Sequence, residues 1–192
     1  MSSSHSVANL RSVTGIPTAR LVTWWIIASE IFIFGGLLAS YIMHRLAHPE
    51  WAIAAANTNT KAGAFNTFVL LTSSLFAVLA HKAADAEDGK KAAKFLRLTS
   101  LGGAIFLIVK GFEWTHEIKE GFVLSSGGFW SFYYTVAGLH GLHVLAGLII
   151  MLFIASDAAK NRDLGRVQCI GLYWHFVDII WIFLFPLLYI AK

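Results

Sequence analysis

Five long apolar runs, separated by short polar stretches, constrain this chain more than any other feature. They cover about residues 21–43, 62–80, 95–117, 129–155 and 167–191, and each is long enough to cross a hydrocarbon core, which takes roughly 20 helical residues. Inside lipid no water bonds the backbone, so such segments satisfy their own N–H and C=O groups as helices. With 57% hydrophobic and 14% charged residues and a mean hydropathy of +0.65, the chain is far from a soluble domain. The predicted fold is all-α: one polytopic membrane bundle of five transmembrane helices over residues 21–191. The first 20 residues are polar and Ser-rich, with Arg11, Pro17 and Arg20. They lack an apolar core ahead of a small-residue cleavage site, so no cleaved signal is expected and the first span acts as its own insertion signal.

The net charge of +4 does not indicate nucleic acid, because the basic residues sit in short loops where they orient a membrane protein. Arg11, Arg20, Lys82, Lys90, Lys91, Lys94, Arg97, Lys160, Arg162 and Arg166 fall on one side, against Arg45, Lys61, Lys119 and Lys192 on the other, with Lys110 inside the third span. This asymmetry predicts a cytoplasmic N-terminus and an outside C-terminus. Trp24, Trp25, Tyr41, Trp51, Trp130 and Tyr189 lie near span ends, where interfacial aromatic anchors are expected. Connections of about 11 to 18 residues predict that successive helices are antiparallel neighbours. The mixed-charge stretch 82–94 reads as a helix end reaching into solvent. Small residues at Gly35, Gly36 and Ala39, at Gly102 and Gly103, and at Gly138, Gly141 and Gly147 mark faces where helix backbones can approach closely. Pro186 is expected to bend the last helix. The single Cys169 has no partner for an internal disulfide, and no internal repeat points to a duplicated transporter.

The ionisable residues inside the runs are the informative ones. Placing such a group at membrane depth costs roughly 2.5 to 3.5 kcal/mol on insertion scales, so they face the bundle interior and find partners there. Six stand out: Glu30, Glu113, His140, His143, His175 and Asp178. At about 1.5 Å rise per residue, Glu30 lies ~15 Å from the N-terminal side of the bundle, His175 ~12 Å, His143 ~18 Å and His140 ~22 Å. Spacing by three puts His140 and His143 on one face and His175 and Asp178 on another. The predicted pairing is Glu30 with His175, an imidazole sharing a proton with a desolvated carboxyl. The alternative is that these residues only hold helices together.

Glu113-Trp-Thr-His116 has the Glu-x-x-His spacing of di-iron bundles, but a second such motif and the further carboxylates are missing. Two histidines on separate helices remain an open route to axial haem ligation. No metal site, nucleophile arrangement or phosphate loop is otherwise readable.

Longer motifs carry a family likeness. Tyr173-Trp-His-Phe-Val-Asp-Ile-Ile-Trp181 resembles the last-helix signature of subunit III of the haem-copper respiratory oxidases, and Gly138-Leu-His-Gly-Leu-His-Val-Leu-Ala-Gly147 resembles the helix before it. Ser29-Glu30 with Ile-Phe-Ile-Phe-Gly-Gly resembles the family helix that bears a carbodiimide-reactive glutamate. Asn66-Thr67, Leu70 to Ser74 and Ala80-His81 resemble the next helix, and Gly111-Phe-Glu-Trp114 the one after. The resemblance implies a subunit without redox centres or metal, beside a subunit I that holds haems and copper, with subunit II and small subunits as further partners. It implies that this subunit stabilises the core, binds phospholipid and sustains proton uptake, with Glu30, Glu113, His140, His143, His175 and Asp178 in supporting roles. Longer members have seven helices, and this chain starts at what resembles their third. The short form favours a bacterial plasma membrane, leaves open whether cytochrome c or quinol is the donor, and puts an enclosed lipid site in question. A respiratory supercomplex is a further possible setting. The other readings are a five-helix protein associated with nitric oxide reductase, whose last helix is similar, and a small proton-coupled transporter.

Overall fold

Each apolar run forms one helix; the first four helices overrun their runs at both ends, while the last starts early and stops at Phe185. The computed structural model describes residues 18–191; Arg11, Pro17 and the rest of 1–17, with Lys192, lie outside the described residues. The elements are α1 (Thr18–Ala47), a short α2 (Trp51–Ala56), α3 (Thr60–Asp85), α4 (Gly89–Lys119), α5 (Gly128–Ala158), α6 (Gly165–Phe185) and a closing π turn (Pro186–Ile190). Residues 18–20, read from sequence as tail, already belong to α1. The side where α1 begins, with the α3–α4 and α5–α6 turns, is called the N-side, and the opposite side the C-side.

The helix starts are specified locally. Asn59 accepts from the Ala62 N–H at 3.1 Å and Asp88 from the Lys91 N–H at 3.0 Å, each occupying a donor that the first helical turn leaves free. The 82–94 stretch extends both helices as expected: α3 runs through Lys82 to Asp85, and α4 begins at Gly89 after three intervening residues.

The packing centre is Trp174 of α6, which is fully buried. Its indole N–H donates to Ser73 Oγ of α3 at 3.0 Å. A Cβ at Gly103 of α4 would lie 2.6 Å from its ring, and one at Gly147 of α5 3.2 Å. Gly102 likewise lets α4 approach Ser73, where a Cβ would come within 2.6 Å. Other glycines behave differently. Gly138 and Gly141 leave ordinary contact distances of 3.5 Å to Trp114 and 3.9 Å to Leu107, and Gly35 and Gly36 face no neighbour within 4 Å. The expected packing role of Gly35 and Gly36 is therefore not found among the described residues: their stripe lies on the outward side of α1.

The first helix also departs from the antiparallel-neighbour expectation. It packs on α6 and α5 rather than on its successor α3, because α2 carries the chain across the C-side before α3 descends. Its buried residues, Ile27, Phe34 and Tyr41, recur every seventh position, a single narrow seam. The aromatic belt needs correction as well. Trp24 and Trp25 are exposed, but Tyr41, Trp51, Trp130 and Tyr189 are buried and cross-pack: Trp51 is edge-on to Phe129 and Trp130 is stacked on Phe122.

Pro186 ends α6. Lacking an N–H it cannot continue the ladder, and the backbone widens into a π turn closed by Ala191 N–H to Pro186 O at 2.9 Å. The carbonyls of this turn find donors elsewhere: Tyr41 OH reaches Leu187 O at 3.0 Å, Thr60 Oγ1 reaches Tyr189 O at 3.2 Å, and Arg45 reaches Ala191 O at 2.9 Å.

Gly103→Val is expected to lower the thermal unfolding midpoint of the detergent-solubilised chain by an overpacking penalty of about 1–3 kcal/mol, whereas Gly36→Ala leaves it unchanged. Equal midpoints for wild type and Gly103→Val would contradict the contact with Trp174.

Candidate functional site

A groove of about 770 Å³ runs along the bundle between α1, α5 and α6. Its walls are almost wholly apolar, including Val22, Ile26, Leu142, Ala146 and Ile150, and it opens sideways where α1 stands off from α5. At the N-side end it is lined by Thr18, Ala19 and Arg166. Nearby, Arg20 of α1 is held to Gln168 of α6, and Arg166 is paired with Asp163 at 3.0 Å.

Glu30 and His143 form its polar floor. Glu30 Oε2 lies 3.1 Å from His143 Nε2, with both side chains largely buried; Glu30 Oε2 makes no hydrogen bond, so this is a close polar contact rather than a formed bond. His143 Nδ1 sits 2.8 Å from the Leu139 carbonyl. A carbonyl only accepts, so Nδ1 carries a hydrogen, and Nε2 can face Glu30 favourably only if a second proton resides on one of the two groups. The ring is also edge-on to Phe34 at 5.3 Å, and Tyr173 OH donates to the His143 carbonyl at 3.2 Å.

The predicted Glu30–His175 pair is thus not formed. His175 instead meets α3, where its Nδ1 is 2.6 Å from Ser74 Oγ. Rise per residue sets depth and leaves azimuth open, and α1 docks on the α5 side of α6. The remaining candidates are buried separately. His140 is fully buried, stacked on Trp181 at 5.3 Å and edge-on to Phe106. Asp178 is 4% exposed. Among the described residues neither the His140 ring nitrogens nor the Asp178 oxygens have a hydrogen-bond partner. His140 and His143 are three apart as predicted, yet one faces the core and the other the groove.

Glu113 belongs to a second cluster, at the C-side, that the sequence reading did not assemble. Lys110 Nζ contacts Glu113 Oε2 at 3.2 Å, Tyr133 OH at 2.9 Å and Tyr189 OH. Tyr133 OH also reaches Glu113 Oε1 and Glu117 Oε1, each at 3.0 Å. The Lys110 ammonium lies 4.7 Å from the Tyr133 ring centroid and 5.0 Å from that of Tyr189. The signal was present in Lys110-x-x-Glu113-x-x-x-Glu117, a spacing that puts all three on one face. His116 of the Glu-x-x-His motif is exposed and paired with Glu120 at 3.4 Å, so it does not converge with Glu113. No group of three or more His, Cys, Asp or Glu side chains placed to hold a metal ion occurs among the described residues.

Comparison with known sequences decides between the open readings. The profile of the family described as Cytochrome c oxidase subunit III matches residues 14–192. The chain belongs to that family. It is 34% identical over 171 residues to the probable cytochrome c oxidase subunit 3 of Nocardia farcinica, covering 86% of this chain and 84% of that one. It is 32% identical over 170 residues to cytochrome c oxidase subunit 3 of Thermostichus vulcanus, covering 84% and 82%. It is also 39% identical over 130 residues to cytochrome bo(3) ubiquinol oxidase subunit 3 of Pseudomonas aeruginosa, covering 65% and 61%. This subunit III is therefore a multi-pass protein of the bacterial plasma membrane and part of a cytochrome c or ubiquinol oxidase complex, which implies subunits I and II as companions. Subunits of this family lack redox centres.

A hydrophobic carbodiimide is expected to modify Glu30, which opens onto the lipid-accessible groove, well before Glu113 or Glu117, which are sealed by Tyr133 and Tyr189. Peptide mapping by mass spectrometry checks this; preferential labelling of Glu113 would contradict the groove's access to Glu30.

Proposed function

We propose that this subunit III is the non-catalytic support of a proton-pumping oxidase that reduces oxygen to water, lying mainly against subunit I, which with subunit II carries the haems and copper. The groove with Glu30 and His143 at its floor carries the reading. An apolar cleft of this size, open to the bilayer and with arginines at one end, suits a phospholipid whose acyl chain lies along Ile26, Leu142 and Ile150 and whose headgroup meets the Arg166 end. The outward stripe of α1 around Gly35 and Gly36, unmatched among the described residues, suits contact with a partner helix.

The N-side carries Arg20, Lys82, Lys90, Lys91, Lys94, Arg97, Lys160, Arg162 and Arg166, which supports a cytoplasmic N-side. In that orientation the Glu30–His143 pair lies near the middle of the membrane, and the Arg166 end of its groove faces the side from which the oxidase draws its protons. Its role there is to hold charge and to order lipid near the uptake path. Small subunits and a supercomplex are further partners of the same assembly, and the donor, cytochrome c or quinol, is a property of the other chains.

Glu30→Gln is expected to retain full haem content and to change oxygen turnover by less than about threefold, a barrier change well under 1.4 kcal/mol; complete loss of oxygen reduction at full haem content would refute a supporting role. Deleting the chain is expected to shorten the number of turnovers before the oxidase inactivates, and an unchanged lifetime would refute stabilisation. Ala146→Phe, which fills the groove, is expected to reduce the phospholipid retained by the purified complex as read by native mass spectrometry; undiminished lipid would place it elsewhere.

A further inference from the structure

The C-side cluster contains more acid than base and more oxygen contacts than hydrogens. Its charged members are Lys110, Glu113 and Glu117, at 4%, 6% and 3% exposure. One ammonium against two carboxylates leaves an uncompensated negative charge inside the bundle, where unpaired charge is strongly disfavoured.

The hydrogen count at Tyr133 points the same way. Its hydroxyl oxygen has Lys110 Nζ at 2.9 Å, Glu113 Oε1 at 3.0 Å, Glu117 Oε1 at 3.0 Å and Tyr189 OH at 3.1 Å. A phenol has one hydrogen to donate and two lone pairs to accept with. Lys110 only donates, so it occupies a lone pair. The single hydroxyl hydrogen then serves one carboxylate, and the other, at the same distance, meets a lone pair unless it brings a hydrogen of its own.

Among the described residues the surrounding groups do not remove the excess charge. Tyr134 of α5 donates to the Phe122 carbonyl at 2.7 Å, with Glu117 Oε2 at 3.5 Å. Tyr189 of the π turn is a neutral phenol already contacted by Lys110. His140, stacked on Trp181, makes no hydrogen bond to the cluster. His116 and Glu120 pair with each other on the exposed side of α4.

We infer that Glu113 and Glu117 share one bound proton through Tyr133, making the cluster with Lys110 a charge-neutral proton-holding site at the C-side of the bundle. The coupled carboxyls titrate as a pair, so the proton belongs to the site rather than to either residue. The inference concerns this chain's own chemistry and stands independently of the role in the oxidase.

The test compares Glu113→Gln, Glu117→Gln and the double variant, each in the complex that the full chain purifies with. Glutamine is the neutral isostere of the held acid, its amide donating to Tyr133 while its carbonyl accepts. At least one single variant is expected to accumulate at wild-type level and to lack one protonated-carboxyl C=O band in the infrared difference spectrum against wild type. The double variant strands Lys110 as a lone buried cation and is expected to accumulate at less than about a tenth of wild type. Loss of no carboxyl band in either single variant would show both acids ionised and overturn the inference. So would failure of both single variants to accumulate while Glu117→Asp accumulates, because a neutral side chain would then be refused where a charged one is accepted.

Discussion

Four helices meet on the indole of Trp174, and the rest of the bundle is arranged around that meeting. The ring needs glycine on two sides, at Gly103 and Gly147, and a hydroxyl for its N–H, at Ser73. In lipid the hydrophobic effect does not drive helices together, so close van der Waals contact and internal hydrogen bonding supply the association energy. Trp174 supplies both at once. With α3, α4, α5 and α6 fixed to each other, polar side chains on their inner faces can be buried and partnered as sets, whereas α1, with only Ile27, Phe34 and Tyr41 buried along one narrow seam, remains peripheral. The groove is the space left by that peripheral docking.

The number of helices, their membrane character and their approximate ends were legible because lipid leaves so few alternatives for twenty apolar residues. The buried polar residues were legible for the same reason: each is costly enough to stand out. Their partners were not. Spacing by three places His140 beside His143 and His175 beside Asp178 on their helices, but only the rotation of α6 against α1 and α3 determines that His175 meets Ser74 and Glu30 meets His143. Gly35 and Gly36 illustrate the same gap, since a small-residue stripe marks a surface fit for close approach without naming what approaches. Lys110 was readable and was counted only as a charge; its register with Glu113 and Glu117 made it part of a face. The aromatic residues at the span ends misled because interfacial anchoring and C-side packing call for the same residue types at the same positions.

Two polar centres thus occupy different levels of one small bundle. The Glu30–His143 contact forms the floor of a groove open to the bilayer, while the Lys110 cluster is closed over by tyrosines. The first lies on a groove that faces lipid and the second is sealed within the bundle, so the two sets of costly polar groups sit in different surroundings.

The π turn after Pro186 bears on how the molecule is made. Its freed carbonyls are where Tyr41 and Arg45 of α1 attach, 146 positions away along the chain. During synthesis α1 is made well before that turn and lacks its C-side attachment until the turn has been made, so this wall of the groove precedes α6 in the chain yet is among the last parts to be secured. In that interval α1 is not yet tied at its C-side end, and the groove over Glu30 and His143 has no fixed wall.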